Sequence, residues 1–315
     1  MDIAIAELVQ SKVDNTDPIE YVLITSARNE EAFIGQTIES VVAQTVLPVK
    51  WVIVSDGSTD RTDGIVKEYT AKYKWIELIR MPERTERHFA GKVHAFNAGY
   101  AKVKNLSYDV IGNLDADITF EEDYMAFLLG KFAEYPLLGV AGTPFREGVL
   151  QYDYRFTSIE HVSGACQLFR RECFEEIGGY VPLKAGGIDL AAVLTARMKG
   201  WQTKTFTEKS SEHHKKTQSG KYATLLATYK SGYHDYLMGN HPVWQFFRSI
   251  YQMSKKPYVV GGATLLIGFL WALLTHAERL VSKELVNFRG KEQMARLRNL
   301  FIMKKPQSNA LNSNN

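Results

Sequence analysis

The chain has 315 residues, is 45% hydrophobic and carries a formal net charge of +3. That length allows one catalytic domain with its own core plus an appendage, and so small a net charge gives no global signature of nucleic-acid binding. Its two cysteines, Cys166 and Cys173, stand in neither a redox nor a metal-ligand spacing, which argues against a disulfide framework and fits a reducing compartment. Residues 1–20 read as an N-terminal extension without a basic n-region or a long apolar core, so no secretory signal is expected. Tyr21–Thr25 is a short β-rich run, Glu31–Ala43 carries Phe33, Ile34, Ile38, Val41 and Val42 at helical spacing, and Trp51–Ser55 is apolar and β-branched again. Asp60–Tyr73, Ile76–Ile79, Lys92–Val103 and Asp109–Leu114 continue the alternation, which predicts βαβ units and a mainly parallel sheet with helices on both faces.

In such a sheet ligands sit outside the carboxyl ends of the strands. The polar clusters fall there: Ser26–Glu30 after the first strand, Ser55–Asp60 after the second, and Asp115-Ala116-Asp117 after the fourth. Alternate side chains of an extended chain point the same way, so Asp115 and Asp117 can face one point. Two carboxylates that close repel each other unless a cation or a proton lies between them. Hard divalent cations, Mg²⁺ or Mn²⁺, take carboxylate oxygen together with substrate phosphate, which makes a nucleoside diphosphate the natural third party. The other reading of this Asp-x-Asp is a polar turn.

Further candidates follow along the chain. Asp56, in a loop at a strand end, can accept the imide N–H of uracil or the N1–H of guanine, while Ser58 and Asp60 suit the turn and the helix cap that follow. The spacing puts Thr25 at the same base pocket. Lys92, on a helix whose start Gly91 marks, can reach a diphosphate as a point charge. Asp189 heads a helical segment (Leu190, Val193, Leu194, Arg197, Met198), a position that suits an N-cap. In Ser211–Lys216, His213 or His214 can supply a neutral imidazole to a metal, or the loop is simply solvated.

Together these residues resemble the family-two glycosyltransferases of the GT-A fold. The likeness runs from about Tyr21 to Trp201. It is carried by ITSARNEE (24–31), SVVAQT (40–45), VSDGSTD (54–60), GKxxAxNxG (91–99), the Asp-x-Asp and RRECFEEIGGY (170–180). The resemblance implies a Rossmann-like GT-A domain, a nucleotide-sugar donor and inversion at the anomeric carbon. It assigns Asp56 to the base, Lys92 and Asp115 to the donor, and Asp115, Asp117 and a histidine to the metal. Asn97 buttresses the site, and Asp189 takes the acceptor's proton. The family often has an acidic pair at that last place, and Ile188 stands in its first position here. Ser158–Tyr180 reads as the acceptor side, with Ser163-Gly164-Ala165 allowing close approach.

Beyond Trp201 the pattern changes. Pro257–Ala277 is a charge-free stretch of 21 residues, about 31 Å as a helix against a hydrocarbon core of about 30 Å. Arg248, Lys255 and Lys256 precede it, and residues 276–305 carry eight Lys/Arg against three Glu. The positive-inside rule draws both flanks to the cytoplasm, which one span cannot satisfy. Gly261, Gly262 and Gly268 permit a bend or close helix packing, so the expectation is a shallow, re-entrant or interfacial insertion with the basic tail on anionic headgroups. Gln245-x-x-Arg248 resembles the glutamine-arginine motif of processive polysaccharide synthases, with Ser249 where they place tryptophan.

The domains expected are an N-terminal extension (1–20), a GT-A glycosyltransferase domain (21–222), a helical membrane-associated region (223–305) and a disordered tail (306–315). The expected activity is metal-dependent inverting transfer from a nucleotide diphosphate sugar, UDP-linked in the first place, to a glycan or lipid-linked acceptor in surface polysaccharide assembly, at the cytoplasmic face of a membrane and with no nucleic-acid partner. Transfer to a polyprenyl phosphate, and a catalytically silent nucleotide-sugar-binding membrane scaffold, are the alternatives.

Overall fold

A computed structural model describes residues 18–83, 89–147, 150–151, 158–215 and 225–302. The expected tail 306–315, and all but the last three residues of the expected N-terminal extension, lie outside these. The chain divides into two compact units, residues 1–220 and 221–315.

In the first unit, β1 (Tyr21–Ala27), α1 (Ile34–Val42), β2 (Lys50–Asp56), α2 (Thr62–Lys72), β3 (Ile76–Met81), α3 (Ala90–Val103) and β4 (Val110–Leu114) reproduce the expected alternation. They are followed by β5 (Ile118–Thr119), α4 (Tyr124–Glu134), β6 (Leu138–Gly142), β7 (Phe145–Glu147), β8 (Leu150–Gln151), β9 (Cys166–Arg170), α5 (Arg171–Glu176), α6 (Ile188–Met198), β10 (Gln202–Thr205) and β11 (Ser211–His213). The central sheet runs β10-β6-β9-β4-β1-β2-β3. Every pairing in it is parallel except those of β9, which lies antiparallel between β4 and β6. Val22, Leu23, Ile24 and Trp51 to Val54 are fully buried, as strands covered on both faces must be.

Helix α1 shows how local pattern becomes site architecture. Ile34, Thr37, Ile38 and Val41 recur at helical spacing and are buried, which docks the helix on the sheet. Its polar residues then hold the segment after the Asp-Ala-Asp turn. Thr37 Oγ1 donates to the Ala116 carbonyl (2.9 Å), Ser40 Oγ accepts from Phe120 N–H (2.9 Å), and Gln44 donates to the Glu121 carbonyl (2.8 Å) while accepting from Met125 N–H (2.9 Å). A second sheet, β5-β11-β7-β8, brings residues 211–213 alongside Ile118 and Thr119.

The second unit consists, in its described part, of α7 (Leu225–Leu237), α8 (Pro242–Met253), α9 (Tyr258–Leu274) and α10 (Lys283–Ile302). A Cβ on Gly232 would lie 1.9 Å from the Leu265 carbonyl, one on Gly268 2.0 Å from the Tyr229 carbonyl, and one on Gly262 2.3 Å from the Ser249 carbonyl. Close packing, not a bend, is therefore what these glycines permit: α9 touches α7 and α8 backbone to backbone. The expected 21-residue apolar helix is corrected to 17 residues, about 26 Å long. It stops where His276 turns left-handed (φ 52°) and Ala277 N–H returns to the Ala272 carbonyl (3.0 Å), as at a Schellman end. No helix among the described residues is long and apolar enough to cross a membrane.

Helix α8 is inside out. Gln245 and Ser249 are buried, whereas Val243, Phe246, Phe247, Ile250 and Tyr251 are 37–49% exposed. The Gln245 amide accepts from Asn240 Nδ2 (2.8 Å) and donates to Asp235 (3.1 Å), and Arg248 pairs with the same Asp235. The Gln-x-x-Arg pair is thus engaged in tying α7 to α8.

Adding a methyl group where backbones touch separates the helices, at about 1–3 kcal/mol for overpacking. Gly268→Ala is expected to lower the urea midpoint of the second unit accordingly. Gly130→Ala, where a Cβ meets nothing within 4 Å, is expected to cost nothing in the same titration.

Candidate active site

The carboxyl ends of β1, β2 and β4 surround a cavity of about 230 Å³ lined by Ser26, Arg28, Glu30, Asp56, Lys92, Asp115, Asp117 and His213, among others. Its rim is fixed by hydrogen bonds between the loops that follow β1 and β2. Ser58 Oγ accepts from Asn29 N–H (3.1 Å), Asn29 Oδ1 accepts from Thr59 N–H (2.8 Å), and Asp60 accepts from the N–H groups of Glu31 (3.1 Å) and Thr62 (3.0 Å). Gly57, between them, has φ 66°, and a Cβ there would fall 2.7 Å from Glu83 Cα. Asp56 is buried to 6% exposure, with the Arg28 guanidinium 3.9 Å away.

Thr25 does not line this cavity. It is fully buried, and its hydroxyl accepts from the Trp51 indole N–H (3.0 Å). Strand alternation turns it into the protein interior while Ser26 faces the site. Asn97 is exposed on α3.

Charge organises the cavity floor. The Lys92 ammonium contacts Asp115, and burial, which disfavours its charge, is more than offset by Asp115, Asp189 and Asp117, so its pKa is raised. Burial raises the Asp115 carboxyl in turn, against the pull of Lys92. His213 Nε2 lies 3.2 Å from Asp117 Oδ2, and this contact holds the imidazole pKa above its ordinary value. His214 points the other way: its Nε2 bonds Thr119 Oγ1 (2.8 Å) and its ring stacks on Phe33 at 6.0 Å. The structure therefore brings His213, not His214, to the Asp-x-Asp, because adjacent residues of β11 and its exit face opposite sides.

Two residues of the floor have no role in the sequence reading. Glu30 pairs with Lys215 (2.5 Å), and its pKa is raised by burial, with Asp117 and Asp115 adding to that rise. Asn113 donates to the Gly164 carbonyl (2.6 Å) and, at 3.4 Å, to Asp115. Glu30 stood in a polar cluster already marked by the sequence, but only folding shows that it faces Asp117. Asn113, inside an apolar strand, gave no more signal than one polar residue in a hydrophobic run.

A second cavity, of about 380 Å³, shares Lys92, Asp115 and His213 with the first and is walled by Phe89, Phe96, Phe145 and Tyr180. Asp189 opens onto it. The helix behind it begins at Ile188 with Gly187 (φ 82°) as N-cap residue, and Asp189 lies in the first turn without making a capping bond, so the cap reading does not hold. Gly164 lies against Asp189, a Cβ there falling 3.0 Å from Asp189 Cβ. The Gly164 position is set in turn by Asn113 and by Asp115 N–H, which donates to the Ala165 carbonyl (2.8 Å).

No group of three or more His, Cys, Asp or Glu able to enclose a metal ion occurs among the described residues. The residues do suit a cation completed by substrate oxygens, which is how Mg²⁺ is commonly held, by one or two carboxylates plus phosphate. Asp117 and His213 converge beside Asp115, and buried polar atoms without partners, Glu30 Oε2 and Asn113 Oδ1, adjoin them.

Residues 22–158 match the family model for Glycosyl transferase family 2. Poly-beta-1,6-N-acetyl-D-glucosamine synthase of Staphylococcus epidermidis is 25% identical over 193 residues, covering 54% of this chain and 44% of that protein. The chain thus spans less than half of that relative's length. Among solved structures, mannosyltransferase PcManGT of Pyrobaculum calidifontis, in complex with GDP-Man and Mn²⁺, superposes with TM-score 0.54 at 17% identity, over 96% of this chain and 88% of that one. Staphylococcus aureus TarS (residues 1–349), in complex with UDP-GlcNAc, superposes with TM-score 0.51 at 14% identity, over 80% and 72%. At these identities the structural likeness establishes the shared GT-A fold.

Gly164→Ala is expected to push the Asp189 carboxyl out of place while leaving the thermal midpoint within a few degrees of wild type. With Asp189 read as the general base, donor turnover is expected to fall at least tenfold, since small misplacements of such a group cost about a hundredfold. Unchanged turnover would mean that Asp189 tolerates displacement.

Proposed function

We propose that this chain is a metal-dependent, inverting glycosyltransferase that moves a sugar from a UDP-linked donor to a glycan or lipid-linked acceptor in surface polysaccharide assembly, at the cytoplasmic face of a membrane. The observation that carries this reading is the junction of two cavities at Lys92, Asp115 and His213. One is polar and bounded by Asp56, while the other is apolar-walled and bounded by Asp189. That arrangement suits a nucleotide diphosphate on one side and an acceptor on the other.

The chemistry follows from the parts. Asp56 accepts an N–H of the base. Lys92 and Lys215 offer positive charge to the diphosphate, and Asp117 and His213, with Asp115, would hold a divalent cation. When bound, that cation supplies charge neutralisation to the leaving diphosphate. The acceptor oxygen attacks the anomeric carbon as the bond from that carbon to the diphosphate oxygen breaks. The bonding pair leaves with the diphosphate, and Asp189 takes the acceptor's proton. The aromatic walls keep water from competing as acceptor. The names of the relative and the solved neighbours support sugar transfer, Mn²⁺ and a nucleotide-sugar donor.

Support for the membrane comes from the second unit. The outward apolar faces of α8 and α9, the latter with Val259, Ile267, Trp271 and Leu274 more than half exposed, match helices lying in the interfacial plane rather than facing water. The basic residues of 276–305 favour anionic headgroups at about 1 kcal/mol per charge near the surface.

Asp117→Asn is expected to abolish transfer, and with it the Mn²⁺-dependent thermal shift given by UDP, while the melting temperature of the unliganded protein stays within a few degrees. Wild-type turnover in EDTA would refute the role of the metal. Asp189→Asn is expected to lower kcat by two or more powers of ten at unchanged donor affinity, and full activity would instead indicate an acceptor already ionised, such as a polyprenyl phosphate.

For the membrane, co-sedimentation with vesicles containing anionic lipid is the measurement. Wild type should pellet with them, and Phe246→Ser combined with Ile250→Ser should remain in the supernatant. Equal binding by both proteins would exclude α8 as the contact.

A further inference from the structure

We infer that Glu147 is a positioning residue for His213: it accepts the Nδ1 proton and so presents the Nε2 lone pair to a cation held with Asp117. The inference rests on the reading of Asp117 and His213 as cation ligands. Strands β7 and β11 run parallel and side by side, with Ser211 opposite Phe145 and Glu212 opposite Arg146, so the next step in register sets His213 beside Glu147. The Glu147 carboxylate lies 3.9 Å from His213 Nδ1, and the two side chains are 12% and 17% exposed. On the opposite edge of the same ring, Nε2 lies 3.2 Å from Asp117 Oδ2. The ring is steadied in that orientation by an edge contact with Phe145, centroid to centroid 5.4 Å.

A neutral imidazole has one N–H and one lone pair. When Nε2 gives its lone pair to a metal, the proton must reside on Nδ1. That atom is buried and has no hydrogen-bond partner. Burying an N–H without an acceptor is costly, and Glu147 is a carboxylate within reach of it, at 3.9 Å. A carboxylate behind a ligating histidine fixes its ring and raises its basicity, and loss of such a partner typically weakens metal affinity about ten- to a hundredfold. The register of two short strands therefore equips this site with a support for its one imidazole.

The test measures Mn²⁺ affinity in the presence of saturating UDP, from the electron paramagnetic resonance signal of free Mn²⁺, for full-length wild type, Glu147→Ala, Glu147→Gln and His213→Ala. Glu147→Ala is expected to bind Mn²⁺ at least tenfold more weakly, and Glu147→Gln, whose amide oxygen still accepts from Nδ1, to recover to within about threefold of wild type. Glu147→Ala within twofold of wild type, while His213→Ala is strongly impaired, overturns the role of Glu147 and leaves the cation site standing. An unimpaired His213→Ala removes His213 from the cation's ligands and the inference with it. Should Glu147→Ala fail to fold, the wild-type protein decides. With Mg²⁺ and UDP bound, isotope-labelled histidine spectra should show His213 as the Nδ1–H tautomer, and the Nε2–H tautomer would overturn the proposal.

Discussion

Glu30, Asp115, Asp117 and Asp189 are carboxylates gathered around two adjoining cavities, and like charges so close are tolerated only with positive charge between them. Lys92 supplies it to Asp115 and Lys215 to Glu30, while His213 Nε2 lies against Asp117. The pKa of Lys92 is raised because Asp115 outweighs burial, and that of His213 because of its contact with Asp117. The site thus holds a balance of charge within a frame that keeps these groups in place.

The frame is fixed by the sheet and by what crosses its end. Parallel strands bring the tips of β1, β2 and β4 to one edge, and loops at that edge collect polar residues from distant parts of the sequence. Helix α1 holds the segment 116–125 through Thr37, Ser40 and Gln44. The antiparallel β9 does the rest: by running back along β4 it delivers Gly164 and Ala165 to Asn113 and Asp115. Gly164 then leaves room for Asp189.

The second unit applies a different logic. Its helices approach until Gly232, Gly262 and Gly268 meet opposing carbonyls, as small residues allow helices to do. Polar groups on α8, Gln245 and Ser249 above all, turn inward, and aromatic and aliphatic residues turn outward. A helix that faces water does the reverse. On the buried side Gln245 joins a hydrogen-bonded network with Asp235, Asn240 and Gln293, and the apolar side is left exposed.

The order of strands and helices in the first half, the clustering of polar residues at strand ends and the Asp-x-Asp were legible in the sequence. Each depends on local periodicity or on a short motif, and a 2.0 or 3.6 repeat survives in one dimension. The direction in which individual side chains face was not. Thr25 turned inward to Trp51 because β1 shows alternate faces to different neighbours, and His213 rather than His214 reached Asp117 because β11 pairs with β5 in one register. Asp189 proved to lie within the first helical turn rather than at its cap, a difference of two residues that no pattern resolves. The 21-residue apolar stretch shortened to a 17-residue helix, because hydropathy counts residues whereas His276 and a returning N–H end the helix. Glu30, Asn113 and Glu147 acquire their places only through contacts with residues far along the chain, 51 positions away between Asn113 and Gly164. Periodicity and motif chemistry are properties of neighbours in sequence, whereas a charge cluster is a property of neighbours in space, and strand pairing across the sheet is what turns the one into the other.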